Sequence, residues 1–206
     1  MRCAEVTRDV RRAAEVLRAG GIVAYPTETF YGLGALASSQ AALARLASAK
    51  LRPEGKPLPL LVSGREMLDG VVARLDPVAS ALADRFWPGP LTLVLPAARG
   101  LAPEIAADGT VGLRVPGSAA ARALSRLAGG PITSTSANPS GGPPPVRPAD
   151  LDPGLVARID AVLDGGETPG GLPSTVVAVE DGNVRLLRAG AVPWEAILAA
   201  ARAGGG

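Results

Sequence analysis

The chain has 206 residues, 47% of them hydrophobic, and a formal net charge of +2 from 21 basic and 19 acidic side chains. That length suffices for one well-filled core, no composition break divides it, and its apolar runs fall far short of the ~20 residues a membrane span needs. The absence of histidine removes the commonest general base, the imidazole-dependent triads and the usual zinc ligands, leaving cations, hydroxyls, amides, carboxylates, or a metal brought in by a substrate.

The single cysteine, Cys3, cannot form an internal disulfide and has no histidine to activate it. Glu5, Arg8 and Asp9 stand where a secretory leader would be apolar. These features predict a cytoplasmic protein with no membrane segment, folded as one domain over 1–206. The scattered basic residues allow weak nucleic-acid affinity without indicating it.

Thr7 is placed to cap a first helix that runs to the Gly20-Gly21 stop, and a buried strand from Ile22 to Tyr25 follows. Ser39 caps a second helix, and Leu58 to Val62 reads as a strand whose Pro59 puts it at an edge or delays its start. Asp76-Pro77 is a strong helix start leading to about Phe86, and the rigid WPGP turn at 87–90 precedes the strand LTLVLP. Val111 to Val115 is a strand, and Ser118 caps a helix ending at Gly129-Gly130. A strand opening at Ile132 enters TSTSANPSGG, and a helix is expected around 149–157, then a strand near 159–163. STVVAVE and NVRLLR form a hairpin across Asp181-Gly182, and Pro193 opens the last helix. The expected fold is α/β (α+β), an open twisted mixed β-sheet with helices on both faces.

Four polar segments follow strands, where folds of this class gather ligands. YPTETFYGLG (25–34) offers Thr27, Glu28, Thr29 and Tyr31 ahead of glycines that permit close backbone approach. The chain's only lysines, Lys50 and Lys56, flank Arg52 in one proline-stiffened loop, an arrangement suited to polyphosphate but not a Walker loop, because Pro57 follows Lys56. In TVGLRVP (110–116), Arg114 is either exposed on an edge or a guanidinium clamp for a carboxylate. TSTSANPSGG (133–142) is the densest hydroxyl and amide cluster in the chain and suits an anion or nucleotide.

Together these segments resemble the YrdC-like threonylcarbamoyl-AMP synthases, in their single-domain form. The matching stretches are PTET-x-YGLG at 26–34, Lys50-x-Arg52 with Lys56-Pro57-Leu58, WPGPLTLVL at 87–95, and V-x-L-R-V-P at 111–116. Ser-Ala-Asn-x-Ser-Gly at 136–141, Ser174-Thr175-Val176-Val177 and Leu187-Arg188-x-Gly190 continue the order. The resemblance implies a YrdC-like fold and an enzyme that condenses L-threonine, bicarbonate and ATP, the ATP carrying Mg²⁺, into threonylcarbamoyl-AMP and pyrophosphate. It also implies hand-off of that product to a tRNA-modifying transferase acting at N6 of adenosine 37. By similarity, Lys50, Arg52 and Lys56 hold the triphosphate with Ser136 and Asn138, while Arg188 and Thr110 lie near the nucleotide; Lys50 and Arg52 are the catalytic pair. Threonine is held by Thr29, Arg114, Ser134 and Ser174, with Leu61 lining its pocket, and no protein metal site is expected. The chain departs from the family at Pro144-Pro145-Val146, where Ser-Pro-Thr is frequent, and at Leu172-Pro173 before Ser174. Two other readings share the fold: a non-catalytic RNA-binding module, which the scarcity of aromatics disfavours, and a carbamoyl-adenylating domain of hydrogenase-maturation proteins, whose cysteine-rich neighbours are missing.

Overall fold

A computed structural model describes residues 4–50, 57–106 and 108–204. In chain order the elements are β1 (Glu5–Thr7), α1 (Val10–Arg18), β2 (Val23–Pro26), β3 (Tyr31–Gly34), α2 (Gln40–Ala49) and β4 (Leu60–Leu61). Then come α3 (Pro77–Phe86), β5 (Leu91–Pro96), α4 (Pro103–Ala106), β6 (Thr110–Arg114), α5 (Ala119–Ala128), β7 (Ile132–Thr133) and β8 (Thr135–Ser136). The chain continues with α6 (Pro153–Val156), β9 (Ala161–Leu163), β10 (Thr175–Glu180), β11 (Asn183–Arg188) and α7 (Trp194–Gly204). Among the described residues no helix is long and apolar enough to cross a membrane.

The strands make two mixed sheets, a five-stranded one in the order β1-β9-β2-β3-β8 and a six-stranded one in the order β11-β10-β5-β6-β4-β7. The mixed α/β architecture expected from the sequence is present, divided into two sheets. The chain passes from one to the other between β7 and β8, at Ser134, whose N–H donates to Pro59 O at 2.7 Å.

Period-two alternation sorts side chains between two cores. Ile22 and Ala24 join the larger core with Leu60, Leu93 and Leu113, whereas Val23 and Tyr25 join Leu61 under α1 and α5. Tyr25 is fully buried, and its hydroxyl donates to Thr133 O at 2.8 Å. Its ring lies against β3: a Cβ on Gly32 would come within 3.2 Å of it, and one on Gly34 within 3.0 Å. The two glycines of YGLG therefore make room for an aromatic ring.

Helix caps follow the sequence closely. Ser39, Asp76 and Ser118 accept from the backbone N–H groups of Ala42, Val78 and Ala121. The first helix differs: Asp9, not Thr7, is its cap, accepting from Arg11 N at 2.8 Å. Thr7 is held in β1 by pairing with Leu163, and its hydroxyl accepts from Asp9 N instead. The helix expected around 149–157 is split into a 3₁₀ turn at Pro148–Asp150 and the short α6. Pro153 keeps Asp152 out of helical conformation, so the turn ends and a second helix starts with Asp152 as its cap. Pro59 delays β4 to Leu60, and β4 lies inside its sheet, between β6 and β7. Asp181 and Gly182 both take positive φ, 48° and 79°, as a two-residue hairpin turn of this hand requires.

Candidate functional site

The six-stranded sheet buries Leu91, Leu93 and Leu95 of β5, Val111 and Leu113 of β6, and Val177 and Val179 of β10 in the larger core. The alternate residues of these neighbouring strands, Thr92, Val94, Thr110, Gly112, Arg114 and Val176, line one cavity of about 940 Å³. That volume lies near the upper end of the ~300–1,000 Å³ typical of ligand pockets. The turn after β2, the end of α2, the segment around β8, and Gly171, Pro173 and Ser174 complete the walls.

The turn after β2 is organised by hydroxyls. Thr27 Oγ1 donates to Phe30 O at 2.7 Å and accepts from Thr29 N at 3.2 Å. Its contact with Thr29 Oγ1 at 3.1 Å must then be donated by Thr29, which leaves Thr29 with lone pairs to offer a ligand. Glu28, between them, accepts from Arg114 Nη1 at 3.0 Å and from Ser118 N at 3.4 Å, at the N-terminus of α5. Arg114 is 6% exposed; the edge-exposed alternative fails because β6 is flanked by β5 and β4.

Lys50 closes α2 and is 3% exposed. Its ammonium donates to the carbonyls of Ser136 and Asn138, and Ser140 Oγ donates back to Lys50 O at 3.0 Å. This fastens the hydroxyl-rich segment to the helix that presents the lysine. Asn138 Nδ2 donates to Pro139 O and Gly142 O at 2.9 and 2.6 Å, which fixes the amide orientation. Its Oδ1 is buried and has no hydrogen-bond partner. A buried orphan acceptor at a cavity wall suits a ligand hydroxyl, a metal ion or a metal-bound water, and would repel a bare phosphate oxygen.

Ser174 Oγ lies 3.0 Å from Thr92 Oγ1 and accepts from Arg188 Nη2 at 3.0 Å. Arg188 also grips Ser174 O through Nε and Nη2. Partial burial of its guanidinium, reinforced by the nearby Arg114 charge, lowers the pKa of Arg188 from the ordinary arginine value. Among the described residues no carboxylate forms an ion pair with Arg188, so this wall is electropositive and ready for an anion. At the opposite rim Asp108 Oδ1 accepts from both Thr110 Oγ1 and Thr110 N, which holds its carboxyl below the usual range.

The sequence-predicted residues Thr29, Lys50, Thr110, Arg114, Ser134, Ser136, Asn138, Ser174 and Arg188 all line this cavity. Leu61 does not: it is fully buried beside Tyr25 in the smaller core, and its neighbour Leu60 meets the cavity. Arg52 and Lys56 lie outside the described residues. Thr92, Asp108 and Gly112 were missed. Thr92 had a readable signal, a lone polar residue on the alternate face of an apolar strand. In the departing stretch, Pro144 lines the cavity and Pro145 O accepts from Tyr31 N at 2.9 Å. Gly170 N donates to Thr29 O at 2.8 Å, which ties the glycine-rich loop to the same turn. Among the described residues no cluster of three acidic or cysteine side chains could hold a metal ion.

An α/β fold with a cation-walled cavity on one face of a mixed sheet defines the class. The Sua5_yciO_yrdC family model, described as "Telomere recombination", matches residues 15–190. The threonylcarbamoyl-AMP synthase of Pyrococcus abyssi is 40% identical over 91% of this chain, and that of Bacillus subtilis is 40% identical over 91%. The chain spans 56% and 55% of the lengths of those two relatives. A crystal structure of P. abyssi Sua5 complexed with L-threonine superimposes with a TM-score of 0.86 at 38% identity, covering 96% of this chain and 60% of that one. The chain belongs to the Sua5/YciO/YrdC family.

Proposed function

We propose that this chain is an L-threonylcarbamoyladenylate synthase, a nucleotidyltransferase that makes threonylcarbamoyl-AMP and pyrophosphate from L-threonine, bicarbonate and ATP. The observation that carries the reading is the convergence, on one cavity, of an electropositive wall, a hydroxyl-rich wall and a buried guanidinium from segments far apart in sequence. The names of the relatives, and the threonine complex of P. abyssi Sua5, support it. The catalytic unit is taken as 1–206, one domain.

In this reading Arg114, oriented by Glu28, takes the threonine carboxylate, and the lone pairs of Thr29 face its ammonium or hydroxyl. Ser134 and Ser174 complete that subsite. Threonine's amine, once deprotonated, takes up bicarbonate with loss of water to give a carbamate. A carbamate oxygen then attacks the α-phosphate of ATP, the bond to the β-phosphate breaks, and pyrophosphate leaves. Both steps depend on positioning and on charge stabilisation, which explains how a chain without histidine performs them. Lys50 and Arg188 offset the phosphate charge, together with Arg52 and Lys56, and Ser136 donates alongside them.

Mg²⁺ enters as part of the ATP substrate and neutralises charge on its phosphates, and the orphan Oδ1 of Asn138 is the protein oxygen that suits it or its water. Asn138 is thereby moved from phosphate ligand to ion ligand. The product is a labile mixed anhydride, handed to the transferase machinery that modifies adenosine 37 of tRNAs reading codons that start with A.

The test is pyrophosphate release by the purified chain with ATP and Mg²⁺. Release that requires both threonine and bicarbonate is the expected result. Release independent of threonine, or none from folded protein that still binds tRNA, contradicts the assignment and favours an RNA-binding module.

A further inference from the structure

Away from its cations the cavity has an apolar wing formed by Val94 on β5, Gly112 on β6, Val176 on β10 and Leu187 on β11. A Cβ on Gly112 would lie 3.6 Å from Pro59 and Val94 and 3.7 Å from Thr92, all ordinary contact distances, and the residue has no left-handed φ. Neither packing nor backbone conformation demands glycine at this position. What the missing side chain provides is a flat floor, the kind of surface on which a planar heteroaromatic base lies.

Thr110 stands two residues along β6 from that floor, on the same face of the strand. Its hydroxyl donates to Asp108 Oδ1 at 2.8 Å, and its N–H donates to the same oxygen at 3.0 Å. These bonds hold the Asp108 carboxyl below its usual range, so it is ionised at neutral pH. An ionised carboxylate only accepts, so the hydroxyl proton is committed to Asp108 and Thr110 Oγ1 presents lone pairs alone to a ligand.

Resting on the nucleotide-binding reading above, we propose that Asp108 sets the base specificity of the cavity: by fixing Thr110 as an acceptor it admits a 6-aminopurine and turns away a 6-oxopurine. The exocyclic amine of the first donates to Thr110 Oγ1, whereas the oxygen of the second would face those lone pairs with no proton between them. Asp108 touches no ligand in this arrangement; it is a positioning residue that acts through Thr110.

The experiment is equilibrium binding of Mg-ATP and Mg-ITP, which differ at the 6-position of the base, to the intact chain and to Asp108→Ala and Thr110→Val. The intact chain is expected to favour ATP by about tenfold, the size of one net hydrogen bond at a partly exposed position. In Asp108→Ala the freed hydroxyl can rotate and donate to the oxo group, so ITP binding improves and the preference falls to within about threefold of unity. In Thr110→Val ATP binding weakens toward the level of ITP, and the preference is lost from the other side. An unchanged ATP/ITP ratio in Asp108→Ala with an intact melting profile, or equal binding of the two nucleotides by the intact chain, overturns the proposal. Because the readout is binding, it fails separately from the proposed reaction. A chain that discriminates through Asp108 yet makes no threonine-dependent adenylate would defeat the reaction and leave this inference standing.

Discussion

The guanidinium of Arg114 is 7% exposed and lies 3.0 Å from Glu28, itself only 18% exposed at the side chain. Removing one partner of so buried a pair costs about 3–5 kcal/mol, because the other charge is left uncompensated. Arg114→Ala is therefore expected to lower unfolding stability by roughly that amount, and to raise the KM for threonine at least about tenfold, the loss of a charge-assisted bond, with the KM for ATP little changed. Steady-state kinetics on folded protein check this; a change confined to ATP contradicts the division of the cavity. At the opposite wall, Lys50→Ala is expected to reduce kcat by about 10²–10³, the magnitude associated with loss of one donor to developing charge. Near-normal turnover in a folded Lys50→Ala variant would remove Lys50 from the phosphate site.

Burial pushes the Tyr25 hydroxyl up to about 12 from its ordinary value of 10.0. The folded chain keeps the proton where the unfolded chain has released it, so the contribution is intact below pH 10 and is lost as pH rises through the window from 10 to 12. Urea titrations across that window are expected to show a decline to which Tyr25 contributes on the order of 2–3 kcal/mol; Tyr25→Phe removes that share and leaves the smaller one from Tyr31, which burial also raises. An equal decline in the variant would assign the pH dependence to other groups.

Among the elements, those that announce themselves by local chemistry were legible. Ser39, Asp76 and Ser118 read as caps because their short side chains reach the free N–H groups of the first helical turn without help from tertiary structure. Asp181-Gly182 read as a hairpin because that turn requires positive φ at both residues. Thr7 misled because a parallel partner, β9, claims it, and that pairing spans more than 150 residues of sequence. Asp76 adds a tertiary contact to its capping bond, accepting Gly182 N at 3.0 Å from the β10–β11 hairpin. Asp76→Ala should cost about 1–2 kcal/mol in denaturant unfolding while leaving catalysis intact, since the cap lies away from the cavity. A loss of activity without loss of stability would mean that α3 communicates with the site in a way its packing does not suggest.

At the scale of the molecule, four polar segments were readable one by one, but the cavity they make was not. It forms because β5, β6 and β10 are neighbours in a sheet whose order departs from chain order. It also forms because the chain crosses between sheets at Ser134, bringing Ser136 and Asn138 to the same cavity as Arg114 and Arg188. Leu61 was placed in the threonine pocket by resemblance, and the alternation of β4 turns its side chain into the smaller core instead. Thr92 and Gly112 belong to the site through register with Val176 and Val94, a relation that no local motif encodes.

The central claim is that this one cavity joins carbamoylated threonine to AMP. Incubation of the purified chain with ATP, Mg²⁺, threonine and ¹³C-bicarbonate, followed by rapid mass analysis of the adenylates, tests it most directly. The expected product is an adenylate that carries the ¹³C label, disappears when threonine is omitted, and is formed in step with pyrophosphate. An unlabelled threonyl-adenylate, or the absence of any adenylate from folded chain that binds ATP and threonine, would contradict it.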